Sequence, residues 1–265
     1  MGKKTVVFGS FVVDLMGRTP HLPAAGETVK GTIFKMGPGG KGFNQGVAAH
    51  KAGADVTMVT KLGRDTFADI ALNTMKELGM KQDRILYSDD TETGCALIMV
   101  DENTSQNEIV VILGSCNTIS DAEVDSLEDL LDGCEYMLTQ LETNVSSVER
   151  IVDIACKKGV KVILNTAPVQ PISDELLSKV DLITPNEVEA EILTAVKVDS
   201  EEAADKAAEW FFGKGVKRVL ITLGGRGVYI NTGDKKGIIP AYKVNAIDTA
   251  GAGDAFNGGL LAALA

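Results

Sequence analysis

The chain has 265 residues, of which 45% are hydrophobic and 24% charged; 28 are glycine, and the formal net charge is −11. This is the composition of a globular protein, one large α/β domain or two small ones, with glycine above its usual share. The acidic balance argues against a reader of phosphate backbones, which carries basic patches, and no run approaches the ~18 apolar residues of a membrane span.

The predicted elements alternate along the chain. "TVVFGS" (Thr5–Ser10) reads as a buried strand, and the absence of a small-x-small cleavage site after the basic start argues against a signal peptide. Residues 12–35 are β-rich without a helix. "NQGVAAHKAG" is a helix ending on Gly53, "DVTMVTKLG" a strand, and "DTFADIALNTMKELG" a helix with Phe67, Ile70, Ala71, Met75 and Leu78 on one face. Residues 93–114 form an antiparallel hairpin that turns at "DENTSQ". "CEYMLTQLE" is a strand and "VSSVERIVDIACKKG" a helix; "KVILNTAP" and "VDLITPN" are strands, and "EEAADKAAEWFFGKG" is a helix. "KRVLITLGGRGVYIN" reads strand–turn–strand, and "KVNAIDTAGAGDAFNGG" reads strand, glycine turn, then a helix from near Gly253. Such β-α-β alternation argues for a mostly parallel sheet with helices on both faces. The stretches at 12–35 and 93–114 do not fit it, so they belong to a small separate β layer, either a lid over a site or an added sheet edge.

The raw material for chemistry is restricted. Cys95, Cys116, Cys134 and Cys156 form no CxxC pair, and only two histidines are present, so metal fingers, disulfide frameworks and histidine triads are poorly supplied. Free thiols in a reducing cytosol are the expectation. "GPGGKGFNQG" fails as a P-loop because Gly42, not Ser or Thr, follows Lys41, and no GxGxxG fingerprint follows a strand. What remains there is a Gly-Gly pair able to flex and admit a ligand. In "LITPNEVEAEIL", Thr184, Pro185 and Glu187 read as a capping box with proline at the first helical position. Asn186 and Glu189, three apart, are then left to order phosphate oxygens or hold water on Mg²⁺.

The late glycine turn is the most informative stretch. The amides of Gly251, Ala252 and Gly253 at a helix N-terminus make an anion hole for a phosphoryl group, and Asp254 beside them can take a proton from an attacking hydroxyl. The alternative is that Asp254 only stabilises the helix end.

"GGKGFNQ", "QLE" at Gln140–Glu142, "TPNEVEAE", "LITLGGRGV" and "DTAGAGDAFNGG" occur in this order. Together they resemble the ribokinase-like (phosphofructokinase B) family of carbohydrate kinases over essentially the whole chain, leaning towards the ribokinases within it. The resemblance implies a three-layer α/β/α sandwich of nine or so strands. Its β lid, from about 12–35 and 93–114, often also forms a homodimer interface. It implies transfer of the ATP γ-phosphate, with Mg²⁺, to a sugar's primary hydroxyl, ribose giving ribose 5-phosphate. Another sugar, a nucleoside, or a non-catalytic sugar- or nucleotide-binding module are the alternatives. By position, Asp254 matches the catalytic base, and Asp14, Gly40, Lys41, Asn44 and Glu142 match sugar contacts. Asn186 and Glu189 match the Mg²⁺ and phosphate pair; Thr222, Gly224 and Gly227 match nucleotide contacts. Asp248 and Ala250 match part of a monovalent-cation site, with K⁺ as activator. A cytoplasmic enzyme with no nucleic-acid or membrane partner is the resulting expectation.

Three departures bear on ribose. Val12 stands where ribokinases commonly carry Asn, Phe43 where a small residue is usual, and Thr166 where proline is usual. The chain also stops at Ala265 within a helix whose apolar face carries Leu260, Leu261 and Leu264, with no glycine cap after it. One domain over 1–265, shortened at its C-terminus and weakened in nucleotide affinity and stability, is the expectation.

Overall fold

The computed structural model describes residues 3–246 and 249–265. β1 (Lys4–Phe8) runs into β2 (Val12–Thr19) and β3 (Ile33–Gly39), then α1 (Lys41–Lys51), β4 (Asp55–Val59), β5 (Lys61–Leu62) and α2 (Thr66–Leu78). β6 (Leu86–Tyr87), β7 (Thr93–Asp101) and β8 (Asn107–Gly114) precede α3 (Asp121–Asp125), β9 (Tyr136–Thr139), α4 (Val145–Lys157) and β10 (Lys161–Leu164). The remainder is α5 (Asp174–Ser178), β11 (Leu182–Ile183), α6 (Glu187–Thr194), α7 (Glu201–Gly213), β12 (Arg218–Thr222), β13 (Val228–Asn231), β14 (Lys236–Ile239) and α8 (Ala252–Leu264).

Eight strands form the central sheet in the order β14-β13-β12-β11-β10-β9-β1-β4. It is parallel from β4 to β12 and antiparallel at β13 and β14. Helices cover both faces, which explains why the strands read as continuous apolar runs. Along β1, Val7 enters the core beneath α1 and α8, whereas Val6 and Phe8 enter the core beneath α4. Farther along the sheet, Leu164, Ile183, Val219 and Ile221 pack with Ala204, Ala207, Ala208 and Phe211 of α7. The expected α/β/α sandwich is therefore present.

β1 has β4 on one side and β9 on the other, so the chain winds outwards in both directions from there. The carboxyl ends of strands beside such a switch point form a natural crevice. Over it stands a second sheet of four strands, β3-β2-β7-β8, built from the two stretches that broke the alternation. The first of these stretches reaches Gly39 rather than stopping near residue 35, because β3 pairs with β2 until Gly39 faces Val12. The strand expected in "KVNAID" does not form over residues 240–246, and Ile247 and Asp248 lie outside the described residues. Among the described residues no helix is long and apolar enough to cross a membrane.

Candidate active site

Two helix N-termini meet at the crevice. α1 starts at Lys41 and α8 at Ala252, so both positive dipole ends face the same space. Their approach depends on glycine. A Cβ at Gly42 would fall 2.5–2.6 Å from backbone atoms of Gly9 and Ser10, and one at Gly40 (φ 89°) 2.8 Å from the Val12 nitrogen. At Gly39 it would fall within 2.3–2.6 Å of the Asp14 carboxylate. The early glycines thus let the protein's own backbone close on itself, a correction to the flexible Gly-Gly pair expected from sequence.

Of the cavities that open around these helix ends, three adjoin in a row. An acidic one of about 570 Å³ is lined by Asp14, Gly40, Lys41, Asn44, Glu142 and Asp254, and on its sheet side by Val12, Ala96, Ile98, Ile109 and Val111. A central one of about 180 Å³ shares Lys41, Gly251 and Asp254 with the first and adds Asn165, Asn186, Glu189 and Thr222. A third, about 630 Å³ and more apolar, shares Asn186, Thr222, Ala252 and Gly253 with the second and adds Val188, Gly224, Gly227, Ile239, Tyr242 and Phe256. Every site residue named from sequence within the described range therefore lines one continuous groove. Ala250 lines the acidic cavity, whereas Asp248 lies outside the described residues.

Carboxylates dominate the acidic end. Glu142 is held by the Ser10 hydroxyl and by the Lys41 amide at 2.7 Å, both on Oε2. Asp254 accepts from Asn44 Nδ2 at 3.2 Å and from Gln45 Nε2 at 2.9 Å. Asp14 has its pKa raised, first by burial of the charge and then by repulsion from Glu142 and Asp254. A raised carboxylate pKa means that the folded state binds the proton more tightly than the unfolded chain. Stability therefore falls as pH rises from the ordinary aspartate value through the raised one. Asp14→Asn is expected to melt at a higher temperature than wild type at pH 7 without ligand, with the gap closing on acidification. A lower melting temperature at pH 7, read by calorimetry, contradicts this.

The centre of the groove revises two expectations. α6 is capped by Asn186, whose side chain accepts from the Glu189 amide at 2.8 Å while Glu189 accepts from the Asn186 amide at 3.0 Å. The capping box is thus Asn186–Glu189, and Thr184 remains extended because its amide bonds Leu164 of β10. At α8, the Ala252 amide donates back to the Thr249 carbonyl at 3.2 Å, so it is already engaged within the turn.

The donor set fits a divalent cation only at one remove. Glu189 already accepts from Asn186 Nδ2 at 2.7 Å and from the Thr166 hydroxyl at 3.0 Å, so its oxygens suit a metal's water better than the bare ion. No cluster of three or more metal-ligating side chains occurs among the described residues. That suits Mg²⁺, which keeps its waters and is carried largely by phosphates. Thr166, noted as a departure, thereby acquires a supporting role.

Other side chains were not marked by the sequence. Phe43 is 1% exposed and packs edge-on to Phe11 at 5.0 Å, so most of it enters the core, and it borders a cavity that shares Asp14, Asn44 and Asp254 with the acidic one. Arg226 bonds the Val198 and Asp199 carbonyls and Glu187, fixing the wall of the apolar cavity. A Cβ at Gly227 (φ 108°) would strike the chain at Ile239–Ala241, so this glycine lets that wall close. Gln45 and Asn165 are buried polar groups beside Asp254; their only sequence signal is an amide in a predicted helix and at a strand end.

An open α/β sheet with a polyol-sized acidic cavity, a helix-dipole anion site and an apolar cavity in line defines a small-molecule kinase. The pfkB family carbohydrate kinase model matches residues 3–265, and the chain belongs to that family. It is an ATP-dependent sugar kinase. It is 43% identical over 264 residues to a ribokinase of Haemophilus influenzae, covering 100% of this chain and 86% of the relative. It is 38% identical to a deoxyribokinase of Salmonella typhi, covering 95% and 82%. The structure of Arabidopsis thaliana ribokinase complexed with ribose and ATP superposes with a TM-score of 0.93 at 28% identity, covering 100% of this chain and 86% of that one.

Proposed function

We propose that the protein phosphorylates the primary hydroxyl of a pentose, ribose or 2-deoxyribose, to the 5-phosphate. The carrying observation is the position of Asp254, which lines both the acidic and the central cavity beside the α8 N-terminus. The sugar occupies the acidic cavity, where Asp14, Asn44 and Glu142 suit hydroxyl groups and Gly40 and Lys41 form the floor. The nucleotide lies across Thr222, Gly224 and Gly227, with its γ-phosphate towards Gly251 and Gly253. The hydroxyl oxygen bonds to the γ-phosphorus as the bond from phosphorus to the β,γ-bridging oxygen breaks. ADP leaves, and Asp254 takes the hydroxyl proton. In a loose transition state that proton leaves late, so a weakly basic aspartate suffices and positioning supplies most of the rate. Asn186 and Glu189 would hold Mg²⁺ through water, and the ion would supply neutralisation of charge on the phosphates.

Val12 favours the second pentose. It lines the cavity 3% exposed, beside Ala96 and Ile98, and offers no partner for a hydroxyl where ribokinases commonly carry Asn. A site without that polar group does not penalise a missing hydroxyl. We expect 2-deoxyribose to be turned over with a kcat/KM within ~10-fold of ribose, and Val12→Asn to shift the ratio towards ribose. A preference for ribose above a thousandfold in wild type rejects this reading of Val12. Activity that is independent of K⁺ rejects the activator role inferred for Ala250 and Asp248.

The four-stranded sheet acts as the lid of a single ribokinase-like unit. Its other face exposes Phe34, Met36, Leu97 and Val110, apolar surface of the kind that a second copy of the chain covers. Sedimentation as a monomer, unchanged by Val110→Glu, contradicts a dimer through that face.

A further inference from the structure

We infer that Gln45 is the positioning residue for the Asp254 carboxylate, acting through a relay of buried amides that has one possible polarity. The inference rests on Asp254 being the proton acceptor.

The polarity is set by a backbone carbonyl. The Thr184 carbonyl can only accept, and Asn165 Nδ2 donates to it at 2.9 Å. Asn165 must then turn its Oδ1 towards Gln45, and Gln45 answers with its amide nitrogen at 3.0 Å. The second hydrogen of that nitrogen goes to Asp254 Oδ1 at 2.9 Å. Gln45 Oε1 faces the other way and accepts from Gln140 Nε2 at 2.7 Å. Gln45 is 0% exposed, so water offers no substitute partner.

It follows that Gln45 can only donate to Asp254. Oδ1 is thereby fixed, and the longer 3.2 Å bond from Asn44 falls on Oδ2, on the side lined by the acidic cavity. The same strand end also holds the helix terminus. The Thr184 hydroxyl donates to Asn257 Oδ1 at 2.6 Å, and Asn257 Nδ2 donates to the Gly253 carbonyl at 2.9 Å. Proton acceptor and helix terminus are thus registered to one another through Asn165, Thr184 and Asn257.

Two variants of similar size separate polarity from packing. Gln45→Met removes the donor, and Gln45→Glu replaces it with an acceptor. Gln45→Met is expected to lower kcat by about 10–100-fold, the range for a lost hydrogen bond to a charged group. Sugar and nucleotide dissociation constants, measured by calorimetry, stay within about threefold. Gln45→Glu is expected to lose more than Gln45→Met at neutral pH, whatever the order of their melting temperatures. A Gln45→Met kcat within about threefold of wild type overturns the inference, as does a loss of sugar affinity equal to the loss of kcat. If neither variant folds, the side-chain amide resonances of Gln45 decide: they shift in Asp254→Asn if the bond exists, and unchanged resonances overturn it. Should Asp254→Asn itself retain turnover, the base assignment fails; if it is inactive and Gln45→Met is not, only the positioning role fails.

Discussion

Asp254→Asn lowers kcat by about 10²–10⁴-fold, the usual cost of losing a positioned general base, and leaves the sugar KM within a few-fold. Asparagine keeps the size of the side chain and an oxygen that can accept from Gln45 Nε2, now 2.9 Å from Asp254 Oδ1. The substitution thus isolates proton acceptance from shape. Steady-state kinetics with saturating ATP reads the result. Turnover within a few-fold of wild type would reduce Asp254 to a residue that merely stabilises the start of α8.

Gly258→Ala produces the second large effect, and it does so away from the chemistry. A Cβ there would fall 2.5 Å from the Ala48 Cβ and the Gln45 carbonyl oxygen, and 2.7 Å from the Ala49 nitrogen. α8 therefore rests directly on the α1 backbone, and a methyl group forces the two helices apart. Overpacking of this kind costs about 1–3 kcal/mol. Asp254 lies one turn before Gly258 on the same helix and moves with it, away from Asn44 and Gln45. A displacement near 1 Å at a reacting group costs about 100-fold in rate. The neighbouring glycine supplies the contrast, since nothing lies within 4 Å of a Cβ at Gly259. Gly259→Ala keeps activity and gains slightly in stability, because alanine is the better helix former. Equal behaviour of the two variants in melting and turnover would show that α1 and α8 do not need their close approach.

This contrast also shows what the sequence could reveal. "NGG" after Asp254 was conspicuous, but only the α1–α8 contact distinguishes the packing glycine from its indifferent neighbour. The parallel sheet was legible because strands buried on both faces are apolar throughout, as in β1, and helices such as α4 carry Val148, Ile151, Val152 and Ala155 on one face. The second sheet was legible from β-rich runs without intervening helices. The α6 cap was misplaced by two residues because Asn186–Glu189 and Thr184–Glu187 share the same spacing. Only the bond from the Thr184 amide to β10 decides between them. The expected strand before the glycine turn failed for a related reason: its apolar pattern has no paired neighbour over residues 240–246.

Long-range polar contacts were the least legible. Gln45 reads as an ordinary polar residue of an amphipathic helix, and its partner Asp254 is 209 residues away. Phe43 was read as a departure that bears on ribose, and a helix places neighbouring side chains about 100° apart. That rotation sends Phe43 into the core and Asn44 to the cavity. Val12 was read as a lost polar contact, and it lines the acidic cavity.

The most direct measurement is the structure of the product formed from ATP, Mg²⁺ and ribose or 2-deoxyribose by this chain, read by phosphorus–carbon couplings in NMR. A single sugar phosphate esterified at the primary carbon, formed in step with ADP and absent with Asp254→Asn, is the expected result. Phosphate on the anomeric oxygen, or ADP released without any sugar phosphate, would contradict a primary hydroxyl held between Asp254 and the α8 N-terminus.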